Sequence, residues 1–183
     1  MKFTKLFENG PVLLEVEQSR DDRGFFARSF CIQEFERAGL PGSWPQSNIS
    51  FNYKKGTVRG MHYQVPPHPE PKIVRCTAGA ICDAVIDLRK TSPHFCKTFM
   101  VELSADKHNA LYVPAGFAHG FQTLKDNTEV LYLMGSFFHP ESQRGIKWND
   151  SKFDFKWPLE VSVISSRDTS YEDFDPTKQE IEW

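Results

Sequence analysis

From Thr57 to Phe138 turn signals cut the chain into short segments of strand-like composition, at intervals of roughly 8 to 12 residues. The breaks are Pro66 to Pro71, Ala78-Gly79, Ser92-Pro93, Pro114-Ala-Gly116, Asp126-Asn127 and Pro140. Between them lie 57–64, 72–77, 80–88, 95–103, 110–113, 116–124 and 129–138. A parallel sheet would need helical crossovers between its strands, and none is visible here. The pattern is that of a sandwich or closed barrel. The 16 phenylalanines strengthen this reading, because aromatic side chains fit half-buried pleated surfaces.

Upstream, Val12-Leu-Leu-Glu-Val-Glu is short and apolar, Asp21-Asp-Arg-Gly24 has turn composition, and 25–31 reads as a strand. Residues 33–40 carry Phe35 and Ala38 at helical spacing and stop at Pro41-Gly42, the one helix candidate. Residues 46–53 alternate, and Lys54-Lys-Gly56 supplies a hairpin-like break. No repeat or linker divides the chain. At 183 residues it is expected to form one domain, with 169–183 as an acidic, turn-rich C-terminal arm.

A net charge of -2 gives no basic stripe for nucleic acid or a membrane surface, so neither partner is expected. No run approaches the roughly 18 to 20 apolar residues of a membrane helix, and no signal-peptide core follows Met1, so a cytoplasmic protein is expected. Cys31, Cys76, Cys82 and Cys96 lack paired C-x-x-C spacing and read as buried free thiols.

Period-2 alternation sorts the polar residues by face. Asp83 falls with Ile81 and Val85, so an inward Asp83 must be paired. Lys72 falls with Val74 and Cys76, His119 with Phe117 and Phe121, and Tyr132 with Val130 and Met134. Arg59 and His62 are three apart and would take opposite faces of an unbroken strand, but a bulge at Gly60 would bring both to one side. Taken singly, each of these residues has an ordinary structural explanation; their joint occurrence on an all-β scaffold points to a pocket.

Pro114-Ala-Gly-Phe-Ala-His119 resembles the second motif of the cupins, double-stranded β-helix jelly rolls. Metal-binding cupins carry an earlier H-x-H. Here that place reads His62-Tyr-Gln64, with Lys72 following, and glutamine beside an ammonium is a poor cradle for a divalent cation. No metal is expected. A histidine, a lysine, a phenol and aspartates suit proton abstraction α to a carbonyl: base, oxyanion stabiliser and acid. No serine or cysteine sits in an activating motif for hydrolysis.

Eight pieces in order resemble the dTDP-4-dehydrorhamnose 3,5-epimerase family, metal-free and cofactor-free cupin-fold enzymes, from about residue 12 to about residue 170. They are Asp22-Arg-Gly-Phe-Phe26, Gln46-Ser-Asn-Ile-Ser50, Val58-Arg-Gly-Met-His-Tyr-Gln64, Lys72-Ile-Val-Arg-Cys76, Asp83-Ala-Val-Ile-Asp-Leu-Arg89, Pro114-Ala-Gly-Phe-Ala-His-Gly-Phe121, Trp148-Asn-Asp150 and Ser165-Ser-Arg-Asp168. The resemblance implies an all-β cupin jelly roll with short peripheral helices. It implies an isomerase that inverts C3 and C5 of dTDP-4-keto-6-deoxy-D-glucose. His62 is then the base, Asp168 its carboxylate partner, Lys72 the stabiliser of the C4 enolate oxygen and Tyr132 the acid on the opposite face. Arg59 and His119 line the sugar and phosphate pocket, with Asp83 orienting one of the cations. Arg23, Phe26, Gln46 and Asn48 hold the nucleotide diphosphate, Arg23 reaching across a homodimer. Two positions depart from the family pattern. Arg28 replaces a common glutamate and leaves dTDP or CDP open. Phe138 replaces a second tyrosine and leaves open a C3-only or C5-only enzyme. A sugar-nucleotide-binding cupin without catalysis is a further alternative.

Overall fold

The computed structural model describes residues 1–177, so the last part of the expected arm, 178–183, lies outside the described residues. In chain order the first strands are β1 Lys2–Lys5, β2 Val12–Glu15, β3 Gln18–Asp21, β4 Gly24–Ala27, β5 Gln46–Asn52, β6 Val58–Gln64 and β7 Lys72–Ala78. They are followed by β8 Ala80–Asp87, β9 Thr98–Ser104, β10 Ala110–Val113, β11 Phe117–Thr123, β12 Thr128–Met134 and β13 Gln143–Gly145. Helix α1 spans Ile32–Arg37, a 3-10 turn Pro140–Ser142 and helix α2 Ser166–Thr169.

Two antiparallel sheets carry the fold, ordered β1-β2-β10-β7-β12-β5 and β13-β6-β11-β8-β9, with β3 and β4 forming a separate hairpin. The inner faces of the two large sheets meet in one apolar layer. Val74, Leu111, Val113 and Val130 come from the first sheet, and Ile81, Val85, Phe117 and Phe121 from the second. Each such side chain contributes about 1.5–3 kcal/mol on burial. This is the jelly roll of the cupin kind that the turn spacing and the motifs predicted.

Both sheets are also covered outside. Helix α1 sets Phe35 against Val12, Leu14, Ile73 and Tyr112. On the other side Phe153, with Phe155, Trp157 and Phe174, covers Met61, Ala84, Ile86 and Leu88. Burial on both faces explains why β8 is apolar almost throughout and why alternation there is faint in the sequence.

Several boundaries differ from expectation. The strand expected over 25–31 ends at Ala27, and the helix expected over 33–40 is α1, ending at Arg37. The segment 95–103 becomes strand only at Thr98, after tight turns closed by bonds such as Lys97 N–H to the His94 carbonyl (2.8 Å). The segment 129–138 stops being strand at Met134. The break at 54–56 is a crossing between sheets, since β5 pairs with β12 and β6 with β11. Three short strands, β1, β3 and β13, and helix α2 carry no periodic signal long enough to read.

The bulge expected at Gly60 is present in the register. His119 pairs with His62, and Phe121 with Arg59, so three steps on β6 match two on β11. Gly60 has φ of +113°, and a Cβ there would lie 2.6 Å from the Gly120 Cα. Only glycine fits such an approach.

Candidate active site

The two sheets supply different halves of one cavity of about 220 Å³, whose lining includes Asn48, His62, Glu70, Lys72, His119 and Tyr132. His62 and His119 stand on β6 and β11 of one sheet. Lys72, Tyr132 and Asn48 stand on β7, β12 and β5 of the other. Period-2 geometry places each of these on the inner side of its sheet.

His62 Nε2 lies 2.7 Å from Asp168 Oδ1. Asp168 is carried by α2, whose capping Ser165 hydroxyl accepts the Asp168 N–H at 3.0 Å. Its Oδ2 also accepts the Gly60 N–H at 3.2 Å. Burial by itself would raise the carboxyl's pKa, but the bond and charge of His62, with the Gly60 and Ser165 bonds, outweigh it and hold Asp168 below the usual carboxylate range. A carboxylate on Nε2 fixes the tautomer with Nε2–H and leaves Nδ1 as the basic nitrogen.

The second imidazole repeats the arrangement deeper in the barrel, with His119 Nε2 at 2.7 Å from Asp83 Oδ1. Asp83 is fully buried. Burial pushes its carboxyl upward against the pull of His119 and Lys72, and its Oδ2 has no hydrogen-bond partner among the described residues. The Tyr132 ring meets His119 edge on, with centroids 6.0 Å apart. Burial and the nearby Asp83 carboxylate drive the Tyr132 phenol far upward, so it stays protonated. Lys72 Nζ is 2.7 Å from Glu70 Oε2, and both side chains are nearly closed off from solvent.

Arg59 lines a neighbouring cavity of about 270 Å³ with His62, Arg167 and Asp168, its Nε donating to Asn52 Oδ1 at 2.7 Å. Gln46 sits two residues before Asn48 on β5 and donates to its Oδ1 at 3.2 Å. Arg23 and Phe26 line neither cavity. They lie on the β3–β4 hairpin, Arg23 90% exposed and tied to Asp21, Phe26 79% exposed. Arg28 pairs with Glu34 at 3.0 Å, and Phe138 is half exposed. All four cysteines are free, but only Cys76 is fully buried, a correction to the expectation of four buried thiols. Burial pushes Cys76 and Cys82 up to about 11.

Glu70, Gln143 and Arg167 also line these cavities without a periodic signal in the sequence, because they lie in a loop, on a three-residue strand and on a four-residue helix. A charge between two prolines was the only available signal for Glu70.

Gln64, where a metal cupin carries a second histidine, has another use. Its buried amide donates to the His68 and Phe137 carbonyls at 3.1 and 3.2 Å and accepts the His139 N–H at 2.7 Å. It fastens the 65–71 loop to the 137–139 loop. His68, His139 and Glu141 on these loops are the one group of three potential metal ligands among the described residues. The two imidazoles lie flat on each other, centroids 3.4 Å apart and planes 4° from parallel. In-plane lone pairs in parallel planes cannot meet at one ion.

The family described as dTDP-4-dehydrorhamnose 3,5-epimerase matches residues 7–175. The Escherichia coli (strain K12) dTDP-4-dehydrorhamnose 3,5-epimerase is 42% identical over 156 residues, 85% of this chain and 84% of that protein. The Bacillus anthracis enzyme, solved with TDP and PPi bound, superposes with a TM-score of 0.89 at 36% identity, covering 94% of this chain and 100% of that one. The Legionella pneumophila enzyme, solved in complex with dTDP-4-keto-L-rhamnose, gives 0.84 at 32% identity, covering 91% and 89%.

Proposed function

The chain belongs to the dTDP-4-dehydrorhamnose 3,5-epimerase family, and from that premise we propose that it is an isomerase inverting C3 and C5 of dTDP-4-keto-6-deoxy-D-glucose, giving dTDP-4-keto-L-rhamnose. The observation that carries the reading is that His62 and Tyr132 come from opposite sheets and line one cavity. A base and an acid so placed address opposite faces of a sugar ring lying between them.

The C4 ketone acidifies the hydrogens on both flanking carbons. His62 takes the proton on Nδ1, and the Asp168 carboxylate stabilises the imidazolium that forms. The Lys72 ammonium offsets the negative charge on the enolate oxygen. Tyr132, kept protonated by its burial, delivers a proton from the other face. Each centre flanks the same ketone, so one base and acid pair serves both, and the ketone is its own electron sink without a cofactor.

Arg59, with Arg167 beside it, supplies positive charge for the diphosphate next to His62. Asp83 holds His119 in place against the sugar. Gln46 and Asn48 extend along β5, and Arg23 and Phe26 complete the nucleotide site from the partner of a homodimer. Support for the homodimer comes from β5, an outer strand of its sheet. It leaves Ile49 65% and Phe51 43% exposed, with Tyr53 just beyond it 76% exposed; an uncovered apolar edge invites pairing. Light scattering of the purified protein tests it: a monomer at micromolar concentration would remove Arg23 and Phe26 from the site. Four free thiols suit the reducing cytoplasm. No described helix is long and apolar enough to cross a membrane.

Proton NMR in deuterium oxide with the dTDP-linked 4-keto-6-deoxy sugar tests the reaction, with exchange expected at C3 and C5. A second reading rests on Phe138, which has no phenol to contribute; it gives exchange at one centre only. A parallel run with the CDP-linked sugar tests the nucleotide, because Arg28 is engaged with Glu34.

A further inference from the structure

The three acid and base pairs at this site are not equivalent. Asp168 and Asp83 stand behind their histidines and do not line the cavity, whereas Glu70 lines it beside Lys72. Its side chain is 9% exposed. Oε2 meets the Lys72 ammonium at 2.7 Å, and no protein hydrogen bond reaches Oε1 among the described residues. Burying a lysine and glutamate together carries a desolvation cost for each ion, which attraction between the two only partly offsets. The pair is therefore poorly explained as a device for stability.

Its position is also firmly set. Glu70 lies between Pro69 and Pro71, whose rings restrict the backbone. Its loop is tied down by the buried Gln64 amide at the His68 carbonyl, and the Pro71 carbonyl accepts the Gly135 N–H at 2.8 Å. An ammonium and a carboxylate in contact present a donor and an acceptor side by side. An α-hydroxy ketone presents the complement, a carbonyl acceptor and a hydroxyl donor on adjacent carbons.

We propose that Glu70 determines specificity by accepting a hydrogen bond on Oε1 from the hydroxyl next to the ketone, at C3, while its Oε2 positions Lys72 for the C4 oxygen. This rests on the epimerase reading and adds to it a requirement for substrates hydroxylated at C3. The lost interaction is a hydrogen bond to a charged group, worth about tenfold or more in rate.

The test compares the dTDP-linked 4-keto-6-deoxy sugar with its 3-deoxy analogue, reading deuterium wash-in at C5, which both substrates have. Wild type should favour the hydroxylated substrate in kcat/KM. Glu70→Ala should lower that preference about tenfold or more. Glu70→Gln keeps the volume and one acceptor oxygen but replaces the other oxygen with an amide donor. The Lys72 ammonium draws the remaining oxygen, so the donor faces the substrate hydroxyl, and the preference should fall part of the way. A merely structural or Lys72-positioning role slows both substrates equally, so an unchanged preference in the two folded variants overturns the proposal. Absence of exchange by wild type on either substrate would instead overturn the epimerase reading itself.

Discussion

His62 Nε2 and Asp168 Oδ1 are 2.7 Å apart in space and 106 positions apart in sequence. The closure depends on the segment that returns to the barrel after Trp157. Val163 forms a parallel bridge with Thr57 and its carbonyl accepts the Val58 N–H at 2.9 Å. Tyr171 packs on Gly145, where a Cβ would run into the ring. The proposed base and its carboxylate are thus brought together from β6 and from a segment 106 positions further on.

His62→Ala is expected to abolish deuterium incorporation at C3 and C5. Asp168→Asn keeps the shape but offers the imidazole no carboxylate, and should slow exchange on the order of 10²-fold or more. Full exchange by either folded variant, followed by NMR, would remove that residue from its assigned role.

Tyr132→Phe separates deprotonation from inversion. The base and the enolate stabiliser are untouched, so His62 can still remove and return a proton on its own face. Deuterium should enter with the starting configuration retained, and inverted product should fall on the order of 10²-fold. Normal yields of inverted sugar would mean that another group supplies the second proton.

Gly120→Ala tests the close approach of β6 and β11. The new Cβ would meet the Arg59 carbonyl oxygen and the Met61 sulfur at 2.6 Å. Overpacking of this kind costs about 1–3 kcal/mol, and in a domain of this size each kcal/mol lowers Tm by about 2–4 °C. A calorimetric Tm equal to that of wild type would show that the strands separate freely.

The Asp168 carboxyl has a folded pKa below its ordinary value of 3.8. A depressed pKa favours the folded state wherever the unfolded carboxyl is ionised. The contribution is therefore complete well above pH 3.8 and is lost as pH falls through the folded pKa. The Tm difference between wild type and Asp168→Asn should be constant near neutrality and narrow on acidification below about pH 4. A difference that widens on acidification would mean that the carboxyl is raised by its burial instead.

Much of the architecture was legible in local pattern. Strands such as β10, expected and found at 110–113, and β5, β6, β8 and β11, within a residue or so of expectation, are bounded by turn residues whose backbone preferences act over a few positions. Period 2 alone groups Asp83 with Ile81 and Val85, His119 with Phe117 and Phe121, Lys72 with Val74 and Cys76, and Tyr132 with Val130, and packing of the two sheets then turns those faces inward. The bulge at Gly60 could be inferred because two residues three apart had to share a side.

What tertiary structure decided are the relationships that no local preference encodes. That Asp168 meets His62, that Gln64 is consumed in fastening two loops, and that Glu70 stands in the cavity beside Lys72 all depend on which loops close over the barrel's mouth. Those contacts are between residues brought near by packing, and a chain's periodicity carries information about which face a side chain takes, but not about which distant segment will lie against it.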